Sequence, residues 1–173
     1  MKTRVSIFII ISLLFLPKIS FGQLKIGYVD SKTILSKLPD TQDAHLKLDG
    51  LIKDWQLELS KMEADKKAKQ DDYDRRKLIM TEQTRNELES EINKLDKQID
   101  DYRTKKFGTN GELFQKQNEL MKPIQNKVFN AIQDVAKQED LDFVFDRSID
   151  NYILFAKDKY DITSQVLDKL KLQ

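Results

Sequence analysis

The side chains able to do covalent or acid–base chemistry are few. His45 is the only histidine, and there is no cysteine. A His/Cys metal site has no second ligand, and no Ser stands in a motif that His45 could activate. The lack of cysteine also excludes disulfides and a lipid-modified cysteine behind a leader. Asp and Glu are plentiful, but charged residues make up 34% of the chain. Carboxylate pairs at that density are the ordinary pattern of a solvated helix face and mark no acid–base centre. No Gly-rich phosphate loop is present, so nucleotide use is not expected. A formal net charge of +1 supplies no general field for nucleic acid. The expectation is a non-enzymatic protein with no cofactor and no metal, and with His45 on a helix surface. The chemistry that remains is contact. Trp55, Leu57 and Phe107 are the candidates for touching an apolar partner, with Trp55 also placed to pack within its own helix pair.

The elements that must position them begin after a leader. Lys2 and Arg4 precede the apolar run Val5 to Leu16, which Pro17 ends, and Ser20 and Gly22 suit a cut before Gln23. The apolar run spans roughly 18 Å as a helix, short of the roughly 30 Å hydrocarbon core. Residues 1–22 therefore read as a cleaved signal peptide. "LKIGYVD" alternates with period two: Leu24, Ile26 and Tyr28 face one way, Lys25, Gly27 and Val29 the other. Ser31 can cap a short helix that Pro39 closes, and Asp40 or Thr41 can cap the next helix.

That next helix is long. Leu48, Ile52, Trp55, Leu59 and Met62 recur in heptad steps that fade toward Met80. A second series runs through Leu88, Ile92, Leu95, Ile99 and Tyr102 and continues through Leu120, Ile124, Val128, Ile132 and Val135. Residues 80–84 read as the turn between them, with Thr84 and Glu87 as a capping box. Gly108 and Gly111 weaken the returning helix, and Pro123 adds a further break. That weak spot is either a hinge that lets the arm splay or a static kink.

The chain closes with Leu141, Phe143 and Phe145 on one strand face, a turn-like "DRSID", and Tyr152, Leu154 and Ala156 alternating with Ile153 and Phe155. These two runs read as an antiparallel hairpin. Asp161 can cap a last helix carrying Ile162, Val166 and Leu170. The fold class is α+β and predominantly α: a long antiparallel helical, coiled-coil-like hairpin projecting from a small β-rich body. The body takes residues 23–43 and 139–173, and the hairpin takes 44–138. Strands this few bury too little to stand alone and leave open edges. The body should therefore be an oligomerisation platform, carried by Ile26, Tyr28, Val29, Phe143, Val144, Phe145, Ile153 and Phe155.

The chain resembles the Skp (also called OmpH) family of periplasmic chaperones along essentially its whole mature length. The resemblance lies in "KIGYVDSKTIL" behind a signal peptide, the charged hairpin, "DLDFVFD" and "KYDITSQVLDKLK". It implies a homotrimer with a β-rich body and three helical tentacles around a cavity. It implies an ATP-independent holdase for unfolded outer-membrane β-barrel proteins, and contact with lipopolysaccharide through basic residues. This sequence departs from the strongly basic members. Across residues 44–90, Lys and Arg are balanced almost one for one by Asp and Glu. The alternative reading is a coiled-coil spacer or tether of the cell envelope.

Overall fold

The computed structural model describes residues 24–148 and 153–171. In chain order these form β1 (Ile26–Val29), α1 (Ser31–Lys37), α2 (Pro39–Arg76), α3 (Glu82–Phe107), α4 (Glu112–Gln138), β2 (Phe143–Asp146), a 3-10 turn (Asp158–Tyr160) and α5 (Thr163–Lys171). The long α2 leaves the body, and α3 and α4 bring the chain back. The return lets β1 and β2 pair although they lie at opposite ends of the described chain.

The pairing is parallel, with Ile26 opposite Phe143 and Tyr28 opposite Phe145. Lys25 starts the ladder. Its N–H donates to the Asp142 carboxylate at 2.7 Å, and its carbonyl accepts from Asp142 N at 2.8 Å. The other edge of β1 meets the start of α5. Ile162 N donates to the Tyr28 carbonyl at 3.0 Å, and Asp30 N donates to Thr163 Oγ1 at 3.0 Å.

The core lies on the inner side of this sheet. Val29, Ile34, Leu38, Ala44, Ile162, Val166 and Leu170 close on Ile124, Val128, Ala131 and Val135 of α4. Those four α4 residues recur in steps of four, three and four, one face of a helix. Along the arm the apolar seam thins. Leu48, Trp55, Ile92 and Ile99 are buried, whereas Ile52, Leu59, Met62, Leu88 and Leu95 are half-buried. Polar links then take over: Arg103 with Glu63 at 2.7 Å, Lys69 with Glu91 at 2.8 Å, Lys66 with Asp96, and Tyr73 with Glu89.

Several local expectations are corrected. Asp30, not Ser31, caps α1, accepting from Thr33 N at 2.8 Å. Pro39 opens α2 at its first turn instead of merely closing α1, because its missing N–H is unneeded there. Neither Asp40 nor Thr41 is the cap; both lie inside α2. The hairpin turn is residues 77–81, and Thr81 caps α3 by accepting from Thr84 N at 3.2 Å. Thr84 lies within the helix. Pro123 does not interrupt α4, because Leu120, Met121 and Ile124 hold both sides of it against the core. Leu141 also packs inward and does not join Phe143 and Phe145 on one face.

The largest correction concerns the expected antiparallel hairpin. Residues 153–156 form no strand, and among the described residues β2 pairs only with β1. The expected connector residues 149–151 and Tyr152 lie outside the described residues, as does the expected signal peptide. Ile153, Leu154 and Phe155 are consecutive apolar residues. Such a run has no polar–apolar alternation to fix a register on the edge of β2.

The gradient from apolar base to polar tip sets a gradient of stability. Ile124→Ala should cost about 2–5 kcal/mol, as for a large-to-small change in a core. Lys69→Ala should cost only a small fraction of that, because the pair it breaks is exposed and screened by solvent. Urea denaturation followed by circular dichroism checks both values. Hydrogen exchange should run faster at residues 66–95 than at 124–135.

Candidate functional site

The register of β1 on β2 sorts the body residues between two faces. Val29 is buried, and Val144 packs against the same inner core. Gly27 lies between them at a close approach. A Cβ there would sit 2.7 Å from Leu141 Cδ1, with Ile162 Cγ2 at 3.6 Å, so the inner layer closes directly on the backbone. The outer face is different. Ile26, Phe143 and Phe145 are 39%, 55% and 51% exposed. Ile153, exposed, and Phe155, at 82% exposure, lie beside them. With Leu24, Tyr28 and Tyr160, the residues Ile26, Phe145, Ile153 and Phe155 line an open groove of about 560 Å³. Tyr28 forms its floor. Its ring is buried under the Arg147 guanidinium, 5.4 Å from the ring centre. Its hydroxyl has no hydrogen-bond partner among the described residues. Together these residues form a continuous exposed apolar face on a small body.

Asp146 fixes the end of this sheet. Its carboxylate accepts from Ser31 N at 3.2 Å and Ser148 N at 2.9 Å, and the two serine hydroxyls meet at 2.8 Å. Partial burial pushes the carboxyl pKa up, but the hydrogen bonds from Ser31 and Ser148 outweigh it and hold the group below the usual carboxylate range. Strand alternation places Asp146 only on a polar face and does not mark this role. Its signal is its place two residues before Ser148, the spacing of an Asx turn.

On the arm, Trp55 and Phe107 are brought together and Leu57 is not. Trp55 is buried, with its ring edge-on to Phe107 at 6.0 Å between centres. Leu57 points away from the seam at 58% exposure. Leu46 is also exposed, three helical turns from Leu57 on the same face of α2. Phe114 and Phe129 of α4 are exposed as well. Heptad spacing misses Leu46, Phe114 and Phe129 because it follows only positions that pack. Their signal is the reverse one, large apolar residues off the seam. His45 is exposed on α2.

The cation cluster of residues 66–77 is neutralised locally. Lys67 pairs with Asp71 at 2.9 Å, Arg76 with Asp72 at 3.0 Å and Lys77 with Asp74 at 3.1 Å. Arg75 also reaches Asp72, at 3.8 Å. Among the described residues no His, Cys, Asp and Glu group has the arrangement of a metal site.

Residues 25–170 match the family described as Outer membrane protein (OmpH-like). The chain belongs to this OmpH-like family. It is similar to the Chaperone protein Skp of Yersinia enterocolitica, 28% identical over 149 residues that cover 85% of this chain and 86% of that one. The Chaperone protein Skp of Vibrio cholerae is 25% identical over 147 residues, covering 85% of this chain and 83% of its own. The fold matches that of an OmpH-like outer membrane chaperone from Caulobacter crescentus with a TM-score of 0.73. The two share 13% identity over 91% of this chain and 90% of that one. The OmpH-like assignment makes this a chaperone-family protein, not an enzyme.

The carboxylates set a direction for acid sensitivity. Asp146 is held below the usual range as described. Asp140 is held there by its hydrogen bond with Lys25, and Asp74 by hydrogen bonds from Gln70 and Lys77. Each therefore has a lower pKa folded than unfolded. Their stabilisation is complete above the unfolded value, about 4, and is lost as pH falls through the folded values. Melting temperature measured from pH 7 down to 2 should fall below about pH 4. Asp146→Asn should lower the plateau and make that fall shallower.

Proposed function

We propose that the chain is an ATP-independent periplasmic holdase that keeps unfolded outer-membrane β-barrel proteins from aggregating. In this reading the body, residues 23–43 with 139–173, assembles three copies, and each copy extends one arm, residues 44–138. Residues 1–22 are the leader that directs export. The observation that carries the reading is the outer face of the body. A chain that packs its core on one side of a two-stranded sheet leaves Ile26, Phe143, Phe145, Ile153 and Phe155 open on the other. Neighbouring copies covering that face would bury it and occupy the edge of β2 that no described strand pairs with. Tyr28 and the inner-face residues Val29 and Val144 support the same platform from beneath.

The arms suit a client with no fixed shape. Leu57, with Leu46, Phe114 and Phe129, places single apolar side chains on a charged rod. Each gives a weak contact, and many together retain an extended chain while leaving it free to rearrange. Trp55 and Phe107 serve the same role only where the arm opens. Attraction of lipopolysaccharide phosphates draws little support from the arm, whose cation cluster at residues 66–77 is paired with acids.

Light scattering tests the holdase directly. A urea-unfolded outer-membrane β-barrel protein is diluted into increasing amounts of the mature chain without nucleotide. Suppression should saturate near three protomers per client. No suppression at large excess, with the protein still folded and oligomeric, would favour an envelope spacer. Phe143→Glu places a charge in the outer face. It should convert the assembly to monomers in sedimentation velocity while leaving the helical circular dichroism unchanged.

A further inference from the structure

The break in the returning helix is where three helices meet on one lysine. Lys106 lies in the last turn of α3, and its side chain is 17% exposed. Its ammonium lies 4.8 Å from the ring centre of Trp55 on α2 and 5.7 Å from that of Tyr102 on α3. It donates to Glu112 Oε2 on α4 at 2.5 Å, and Lys105 approaches Oε1 of the same carboxylate at 3.7 Å. Glu112 is the first residue of α4. One carboxylate thus serves two helix ends. It faces the last turn of α3, where free carbonyls favour cations, and it sits in the first turn of α4, where free N–H groups favour an anion.

The backbone at the break is packed as closely as its side chains. A Cβ on Gly111 would stand 2.9 Å from the carbonyls of Lys105 and Lys106 and from Gly108 N. The two helix ends therefore touch directly, and the glycines are needed for close approach, not for an unusual φ. Across the break, the ion pairs among the described residues all end on Glu112. Tyr102 completes the cluster, donating from its hydroxyl to Glu58 of α2 at 2.8 Å. Burial, then the Glu58 carboxylate, push its pKa up to about 12. The hydrogen bond from Lys106 holds the Glu112 carboxyl below the usual range.

We propose that Glu112 is a latch on the arm. Its pairing with Lys106 fixes the angle between α3 and α4 and keeps Trp55 and Phe107 covered. Its release lets the arm bend at Gly108–Gly111 and uncovers that aromatic pair. The latch stands whether or not the chain holds clients, since it depends only on contacts within one arm.

The chain has no cysteine and one tryptophan, so labels and fluorescence report single places. Gln98→Cys with Asn118→Cys puts two spin labels on exposed positions either side of the break. Labelled protein is diluted into unlabelled protein so that only distances within one arm are read. At neutral pH the parent should give one narrow distance. Glu112→Gln should broaden it and shift Trp55 emission to the red, with helical circular dichroism unchanged. Lys106→Met keeps the stem on Trp55 and removes only the charge, and it should broaden the distance too. Glu119→Gln, which breaks the Lys116 pair inside α4, should change neither signal. A parent-like distance and emission in both Glu112→Gln and Lys106→Met would overturn the latch. Equal broadening in Glu119→Gln would also overturn it, by showing general loosening of the arm.

Discussion

Everything in this molecule depends on β1 pairing with β2. The two strands are four residues each, and the first hydrogen bond of their ladder joins residues 117 apart in sequence. Closing so long a loop costs conformational entropy that a two-stranded ladder cannot offset alone. The arm reduces that cost by being stiff. Two antiparallel helical runs return the chain near its starting point, and the base of α4 supplies a large share of the core beneath the sheet. The body is therefore not a separate unit onto which an arm is attached. Ile124 to Val135 belong to both.

The same arrangement explains why the arm tolerates a polar seam. Its base is fixed by apolar burial, so its far half need only keep two helices side by side. Charged pairs and tyrosine–carboxylate hydrogen bonds do that with little net stabilisation. They also keep a long, thin element soluble without a core. The large exposed residues Leu78 and Ile79 at the apex, 91% and 84% exposed, show how little is buried there.

Periodicity makes most of this legible. Strand β1 and the two long helical runs follow from spacing, because each burial pattern there repeats, and the break at Gly108–Gly111 follows from its two glycines. The caps differ from expectation by one or three residues because Asp30 and Ser31, and Thr81 and Thr84, are all good capping types. Pro123 looks decisive locally, yet tertiary packing on both sides of it holds the helix together. The expected C-terminal hairpin fails because Ile153, Leu154 and Phe155 satisfy strand propensity without an alternation to set a face. The outer-face residues of the body are visible in the sequence, since β-rich runs with no core of their own stand out. The Lys106–Glu112 pair is not, because six residues apart is no helical spacing, and only the break brings them together.

The distance between β1 and β2 also orders events as the chain folds. β1 has no strand partner until β2 reaches it across the whole length of the arm. The pairing of α2 with α3 needs only nearby sequence and can form first. Assembly of the body, which also needs Ile162, Val166 and Leu170 of α5, is left to the last stretch of chain. Contacts between near neighbours favour the arm before the base that anchors it, and the apolar outer face is complete only once β1 and β2 have met.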